Sequence, residues 1–449
     1  MTGLRIELRR SSALWAGLLV IAAGTAMLMV LTGDGSRWAG NSTSAVLELR
    51  KPLTYVWALV VGLAVLQGMR DSRAGVGELF ATTSRRGWVR LGALAAAVGG
   101  ATAVGTLLLC AGVVVRVAIG GGFVSAGFVP LALTVVLAFG AGAVLGLAVG
   151  RLLPHPLVAP VALVATFTLA TIAYQAQDVW SPDGRIPPMA LLVPAFDPPP
   201  SDLVTTSTSV DLGQIVWFAG LAITALLLFV ARSLPGRLGA LVPAGLAMAL
   251  AVSILPAKLS DVLVTDSIGG AMVCDGPVCV SRVHEPSLAV AADVGRDVLT
   301  KLSVLPSPPT KIREDTSAMA HFATAPPSGD VIRLDSQQSP SALSLAPEQL
   351  RREMLAGAGV SSCTGPNTVN SFETRVRHLT AAYFTGELAP LASAPDLWGY
   401  PQPRAALEED WRLFRAQPAP EQLNRVVKAR EMLLACQDSE RVRDVLVAP

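Results

Sequence analysis

The stretch VPLALTVVLAFGAGAVLGLAVG, residues 129–150, contains no charged residue. A helix that crosses a bilayer needs roughly 17–25 mostly apolar residues, because the hydrocarbon core is about 30 Å thick and each helical residue advances about 1.5 Å. Residues 129–150 meet that length, and six other runs resemble them: Ala13–Leu31, Leu53–Met69, Leu91–Val115, Val158–Tyr174, Ile215–Ala231 and Gly239–Leu255. Pro160 and Pro243 fall inside the fifth and seventh spans, where neighbouring helices can satisfy the carbonyl a proline frees. The first run follows Arg5, Arg9 and Arg10 but has no small-residue cleavage site after it, so it reads as an uncleaved first helix.

Composition agrees. The 449-residue chain is 52% hydrophobic and 15% charged, against about a quarter charged in soluble domains. The net charge of +2 conceals an asymmetry: up to Leu255 the chain has 16 basic and 10 acidic residues, and after it 19 basic and 23 acidic. No basic patch interleaved with aromatics and no nucleic-acid-binding motif occurs, which removes DNA and RNA as expected partners. The fold class that follows is an all-α polytopic membrane protein of about seven transmembrane helices. A membrane domain, 1–255, precedes a second domain, 256–449.

Orientation follows the distribution of Lys and Arg in short loops. With the N-terminus inside, segments 1–12, 70–90, 151–157 and 232–238 hold 11 basic residues, and outside segments 32–52, 116–128 and 175–214 hold 5. Arg50 and Lys51 stand on the wrong side of that count. Seven spans then place everything after Leu255 outside. The seven runs contain no Asp, Glu, Lys, Arg or His. Intramembrane ionisable residues mark proton and ion paths, so the expectation is neither a proton-coupled transporter nor an intramembrane protease. Gly and Ala abound instead, in GALAAAVGGATAVG (92–105) and AFGAGAVLGLAVG (138–150). Small residues let helix backbones approach closely, within one chain or across a dimer.

The C-terminal domain holds Cys274, Cys279, Cys363 and Cys436, and Cys110 lies in the third span. An even set outside the cell points to two disulfides among three possible connectivities. VCDGPVCV reads as a tight hairpin with Asp-Gly in its turn, favouring Cys274–Cys279 and leaving Cys363–Cys436. Zinc is the alternative, but Cys-x4-Cys is an unusual ligand spacing and no second close pair exists. Helical periodicity runs through 287–305, 346–359, 372–388 and 420–437. Short strands are expected at 271–280 and 330–336, and 307–330 reads as a proline-bounded loop. The domain is expected to be mainly α.

Motifs that carry chemistry are missing. There is no Gly-x4-Gly-Lys-Ser/Thr phosphate loop and no Gly-x-Ser-x-Gly elbow, and no cofactor is implied. His284-Glu285 begins a zinc-protease signature that needs a second His one turn on, and position 288 is Leu. His321 and His378 lack partners at ligand spacing. The run Glu408-Glu409-Asp410 reads as the acidic first turn of a helix, where negative charge suits the dipole. No catalytic residue and no metal ligand is expected, and the chain is not read as an enzyme.

One stretch does carry a resemblance. GELFATTSRRGWVR (77–90) lies on the inside between spans two and three and has the pattern of an amphipathic helix. Through Glu78, Leu79, Phe80, Thr82, Thr83, Arg86 and Trp88 it resembles the cytoplasmic coupling helix of type-2 ABC exporter permeases, with Ser84 where that family commonly has Pro. GRLLPHPLVAPVALV (150–164) is similar to a Gly-Arg-Leu-apolar-Pro element of actinobacterial members. The resemblance covers about residues 1–255. It implies a permease dimer, homo- or heteromeric, coupled to a separate ATPase in a bacterial cell membrane. The coupling residues would be Glu78, Leu79, Phe80, Arg85, Arg86 and Trp88, with Leu79 and Phe80 toward the spans and the charged residues toward the ATPase. Such permeases usually have six spans, so the seventh and its outside domain depart from the pattern. In a bacterial chain the glycosylation-like Asn41-Ser42-Thr43 carries no weight.

Three expectations remain open. The first is an exporter permease whose outer domain receives or guards substrate. The second is a non-transporting anchor for an extracytoplasmic sensing or envelope-interaction domain, in which Arg70, Arg73, Arg85, Arg86 and Arg90 only set topology and touch lipid headgroups. The third is a membrane-tethered peptidase-like enzyme, which the incomplete zinc signature disfavours.

Overall fold

The computed structural model describes residues 13–32, 40–74, 87–177, 184–196, 201–231, 233–318, 327–335, 341–363, 371–394 and 401–448. The chain divides into two compact units, Met1–Val264 and Thr265–Pro449.

The first unit is built from seven helices long and apolar enough to cross a membrane. They are α1 (Ala13–Thr32), α2 (Ser42–Gly68), α3 (Gly87–Ile119), α4 (Phe128–Leu152), α5 (Val158–Gln175), α6 (Thr208–Val230) and the run Leu234–Ile254, made of a short helix at Leu234–Gly239 and α7 (Val242–Ile254). The most extensive contact is between α2 and α4. Next, α4 packs on α6, α6 on α7, α1 on α3, and α5 on α2. Backbone proximity makes the central seam possible. A Cβ on Gly146 would lie 2.5 Å from the Val61 carbonyl oxygen, and one on Gly150 or Gly68 would clash with the Val65 or Leu147 carbonyl. The small-residue stretch 138–150 is therefore spent on packing inside the chain. Trp57 of α2 adds a polar tie, donating from Nε1 to the Ala138 carbonyl (2.9 Å).

The two ends of this bundle differ. At one end the connections bond to one another: Ser42 donates to Phe123 (2.9 Å), Phe123 to Gly40 (2.8 Å), Ile186 to Ala257 (3.0 Å) and Leu259 to Gly184 (2.7 Å), all main chain to main chain. Asn41 also donates from Nδ2 to the Asp202 carbonyl (2.9 Å). The helices alternate in direction, so the C-terminal ends of α2 and α4, the N-terminal end of α3 and the short helix before α7 gather at the opposite end. Arg70, Arg73, Arg90, Arg151 and Arg237 lie there.

The second unit is mostly helical and also carries a four-stranded sheet. Its strands, β1 (Met272–Asp275), β2 (Val278–Ser281), β3 (Lys311–Glu314) and β4 (Val331–Leu334), lie in that order. The first pair is antiparallel and the other two are parallel. The turn between β1 and β2 is Gly276-Pro277, with Asp275 opposite Val278. Gly276 has φ +59, the left-handed backbone a tight hairpin requires of its first central residue when Pro follows. Helix α8 (Leu288–Leu302) crosses from β2 to β3 and lays Ala291, Val298 and Leu302 into the core. Gly295 sits over the sheet, where a Cβ would come within 2.7 Å of Val278. Helices α9 (Pro347–Leu355), α10 (Ser371–Thr385), α11 (Pro401–Arg415), α12 (Ala419–Leu434) and α13 (Ser439–Val447) complete the unit.

Two expectations for this unit need correction. The 307–330 stretch is not all loop, because β3 runs through it. Its inward positions are Ile312 and Glu314, and a buried carboxylate hides the alternation that marks a strand. The run Glu408-Glu409-Asp410 lies deep in α11, not in its first turn, because the helix begins at Pro401. Glu408 and Glu409 pair with Arg404 and Arg412 on the exposed face. Asp410 is buried between Arg375 (3.0 Å) and Arg443 (2.5 Å), joining α10, α11 and α13.

Candidate functional site

Inside the first unit the polar site begins at a helix cap. Asn41 precedes α2 in an extended conformation, and its side chain accepts from the Thr43 N–H (3.1 Å). An Asn at this position satisfies one of the donors a helix start leaves open. The helix therefore begins at Ser42, not near Leu53, and Glu48, Arg50, Lys51 and Pro52 become part of it. Likewise α6 begins at Thr208 and takes in Asp211 and Gln214. The helices long and apolar enough to cross a membrane are thus not free of ionisable residues. Arg50 is among the largest fully buried side chains of the molecule.

What Arg50 meets is set by the sequence GRIPPMALLVPAF, residues 184–196. Pro187, Pro188 and Pro194 deny this segment three N–H donors, and beyond one 3₁₀ turn at Pro188–Leu192 it has no ladder of its own. Its buried carbonyls need donors from elsewhere. Arg50 donates from Nε to Pro194 (2.9 Å). Gln214 donates from Nε2 to Leu191 (2.7 Å), and Gln177, just past α5, donates to Ala190 (2.8 Å) and Ala195 (3.1 Å). Arg50 also donates from Nη2 to Gln214 Oε1 (2.7 Å), and its guanidinium carbon lies 5.4 Å from the centre of the Phe196 ring. One helical turn before Gln214, Asp211 accepts from the Thr206 hydroxyl (2.8 Å). The neighbouring Lys51 points the other way, over the Tyr174 ring (6.0 Å).

The electrostatics are those of an unclosed pair. Removing a guanidinium from water costs several kcal/mol unless opposite charge and hydrogen bonds compensate. Here compensation comes from a carbonyl, an amide oxygen and an aromatic face, with Asp211 in electrostatic range. Sequence reading missed the site because it took Arg50 for a loop residue. The Asn-Ser-Thr cap was the signal, and it was set aside as a glycosylation acceptor.

Of the coupling residues expected from the sequence, Glu78, Leu79, Phe80, Arg85 and Arg86 lie outside the described residues. Trp88 is in the first turn of α3 and exposed. Arg90, one residue pair further, binds Asp71 (2.8 Å). That ion pair ties the short helix Arg70–Arg73, which directly follows α2, to the start of α3, on either side of residues 75–86.

In the second unit Cys274–Cys279 and Cys363–Cys436 are both disulfide-bonded, and Cys110 of α3 is free and buried. His284 lies in a 3₁₀ turn, partly buried. Its Nδ1 is 2.6 Å from Glu314 Oε1 and 3.1 Å from Ser281 Oγ, and Glu314 Oε2 accepts from the Ser281 N–H (2.6 Å). Serine and carboxylate share one ring nitrogen, which is not the relay of a nucleophilic triad, where they take opposite nitrogens. No group of three potential metal ligands occurs among the described residues. No family model, curated protein or solved structure matches the chain.

Proposed function

We propose that the chain is the membrane-spanning subunit of an ABC-type exporter, paired with a separate cytoplasmic ATPase and working as a dimer of permeases in a bacterial cell membrane. In this reading the arginine-bearing end of the bundle is cytoplasmic, and the second unit is extracytoplasmic. The observation that carries it is the Arg90–Asp71 pair, which holds both feet of the amphipathic 77–90 segment at that end. A push on the segment reaches α2 and α3 together. Helix α2 makes the most extensive helix–helix contact of the bundle, with α4, and it carries Arg50 toward the opposite end. It is therefore a lever from the coupling segment to the polar site.

A second reading, an anchored domain that does not transport, draws on the second unit's own hydrophobic core and disulfides. Affinity purification from solubilised membranes separates the two. An ATPase should co-purify with the wild-type chain, and the Glu78→Ala/Arg86→Ala variant should lose it. An intact wild-type chain that brings down no ATPase removes the exporter reading and leaves the anchor.

A further inference from the structure

Among the described residues, buried Arg50 and Asp211 do not close on one another. Arg50 spends Nε on Pro194 and Nη2 on Gln214, while its buried Nη1 has no hydrogen-bond partner. Asp211 gives one oxygen to Thr206, and the other makes no hydrogen bond among the described residues. The two charges interact electrostatically, yet no ion pair within 4.0 Å joins them among the described residues. A third open valence belongs to another residue bonded to the 184–196 segment: Gln177 Oε1 is buried without a partner, while its Nε2 holds carbonyls of the same segment that Arg50 holds.

Opposite charges in a low-dielectric interior attract strongly. These are kept apart by neutral groups that grip each of them, Gln214 on the guanidinium and Thr206 on the carboxylate. The open inventory is one cationic donor, one anionic acceptor and one neutral acceptor. A lone anion placed there meets Asp211, and a lone cation meets Arg50. A group with both signs satisfies the two poles at once. We propose that Arg50 and Asp211 are the poles of a binding site for a zwitterionic group, its carboxylate or phosphate on Arg50 Nη1 and its ammonium on Asp211. An amino acid, a short peptide and an ethanolamine phospholipid headgroup share that chemistry. Main-chain bonds to Ala257 and Leu259 anchor the 184–186 end of the covering segment, whereas its 190–195 part is held to the helices by the side chains of Arg50, Gln177 and Gln214, so this is the part of the wall that can lift to admit one. The site's role as a substrate site rests on the exporter reading; its binding of a zwitterion does not.

The test uses the full chain purified in detergent, with thermal unfolding as the readout. The probes are triglycine, a short-chain phosphatidylethanolamine, propionate and ethylammonium. At least one of the two zwitterions should raise the midpoint saturably, and which one does so separates a soluble substrate from a lipid. Arg50→Gln and Asp211→Asn should each weaken the effect about tenfold or more, the factor for one lost charge-assisted hydrogen bond. Should Arg50→Gln elute as aggregate, Asp211→Asn decides. No saturable response to either zwitterion, an equal response to propionate, or wild-type affinity in a folded Asp211→Asn variant each overturns the proposal. ATPase co-purification measured on the same preparations reports on the exporter reading separately.

Discussion

His378 has both ring nitrogens committed to main chain. Nδ1 lies 2.8 Å from the Thr374 carbonyl, and Nε2 accepts from the Leu391 N–H (3.3 Å). That pattern fixes the neutral ring with its proton on Nδ1. Burial also pushes its pKa below the ordinary 6.5, more strongly than its contact with Thr374 and the charge of Glu353 raise it. The unfolded chain then binds the proton more readily than the folded one, so stability is complete above about pH 6.5 and falls as pH drops through that value. Within that window the slope from one such site is on the order of 1 kcal/mol per pH unit. The thermal midpoint of the second unit, followed in the full chain, should drop between pH 7.5 and 5.5. His378→Gln should flatten that drop; an unchanged pH dependence in the variant would count against the neutral assignment. Cysteine pairing was legible at this scale. Asp410 was not, because a carboxylate facing two arginines from other helices reads in sequence like any acidic helical residue.

The long apolar helices were legible as elements because uninterrupted hydropathy needs no knowledge of neighbours. Their ends were not, since hydropathy stops at the first charge and a helix stops at its cap. Asn41 moves α2 outward by several turns and brings Arg50 inside. The seam between α2 and α4 is the element on which the bundle depends, and Gly150 is its tightest point. Gly150→Ala should destabilise the purified chain by about 1–3 kcal/mol, the usual cost of overpacking. Gly112→Ala in α3, where a Cβ meets nothing within 4 Å, should be neutral or slightly stabilising. Equal midpoints for the two variants would mean that α2 and α4 separate easily, and that the lever assigned to α2 is not rigid.

As a whole, the molecule joins a unit organised by hydropathy to one organised by long-range polar contacts. The second was less legible for that reason. Gly357, Ala358 and Gly359 all take positive φ, and the turn is held by Arg430 on the Ala358 carbonyl (3.1 Å) and Thr380 on the Gly357 N–H (2.8 Å). No local pattern announces such a turn. The disulfides differ in the same way. Cys274–Cys279 spans 5 residues and repeats what the hairpin already does, whereas Cys363–Cys436 spans 73. Chain entropy assigns the long closure about 4 kcal/mol and the short one about half as much. Denaturant titration should therefore show Cys363→Ser/Cys436→Ser to be the more damaging pair; the reverse order would place the main constraint in the hairpin.

The polar shell around Arg50 also sets a timetable for biogenesis. Arg50 leaves the ribosome long before Pro194 and Gln214, the two residues that receive its hydrogen bonds. Until residue 214 has been made, Arg50 lacks its Gln214 acceptor, and a cation short of partners resists entry into hydrocarbon. On the exporter reading, helix α2 is therefore expected to settle late, after α6 has arrived, so that the order in which the helices are synthesised is not the order in which they reach their final places.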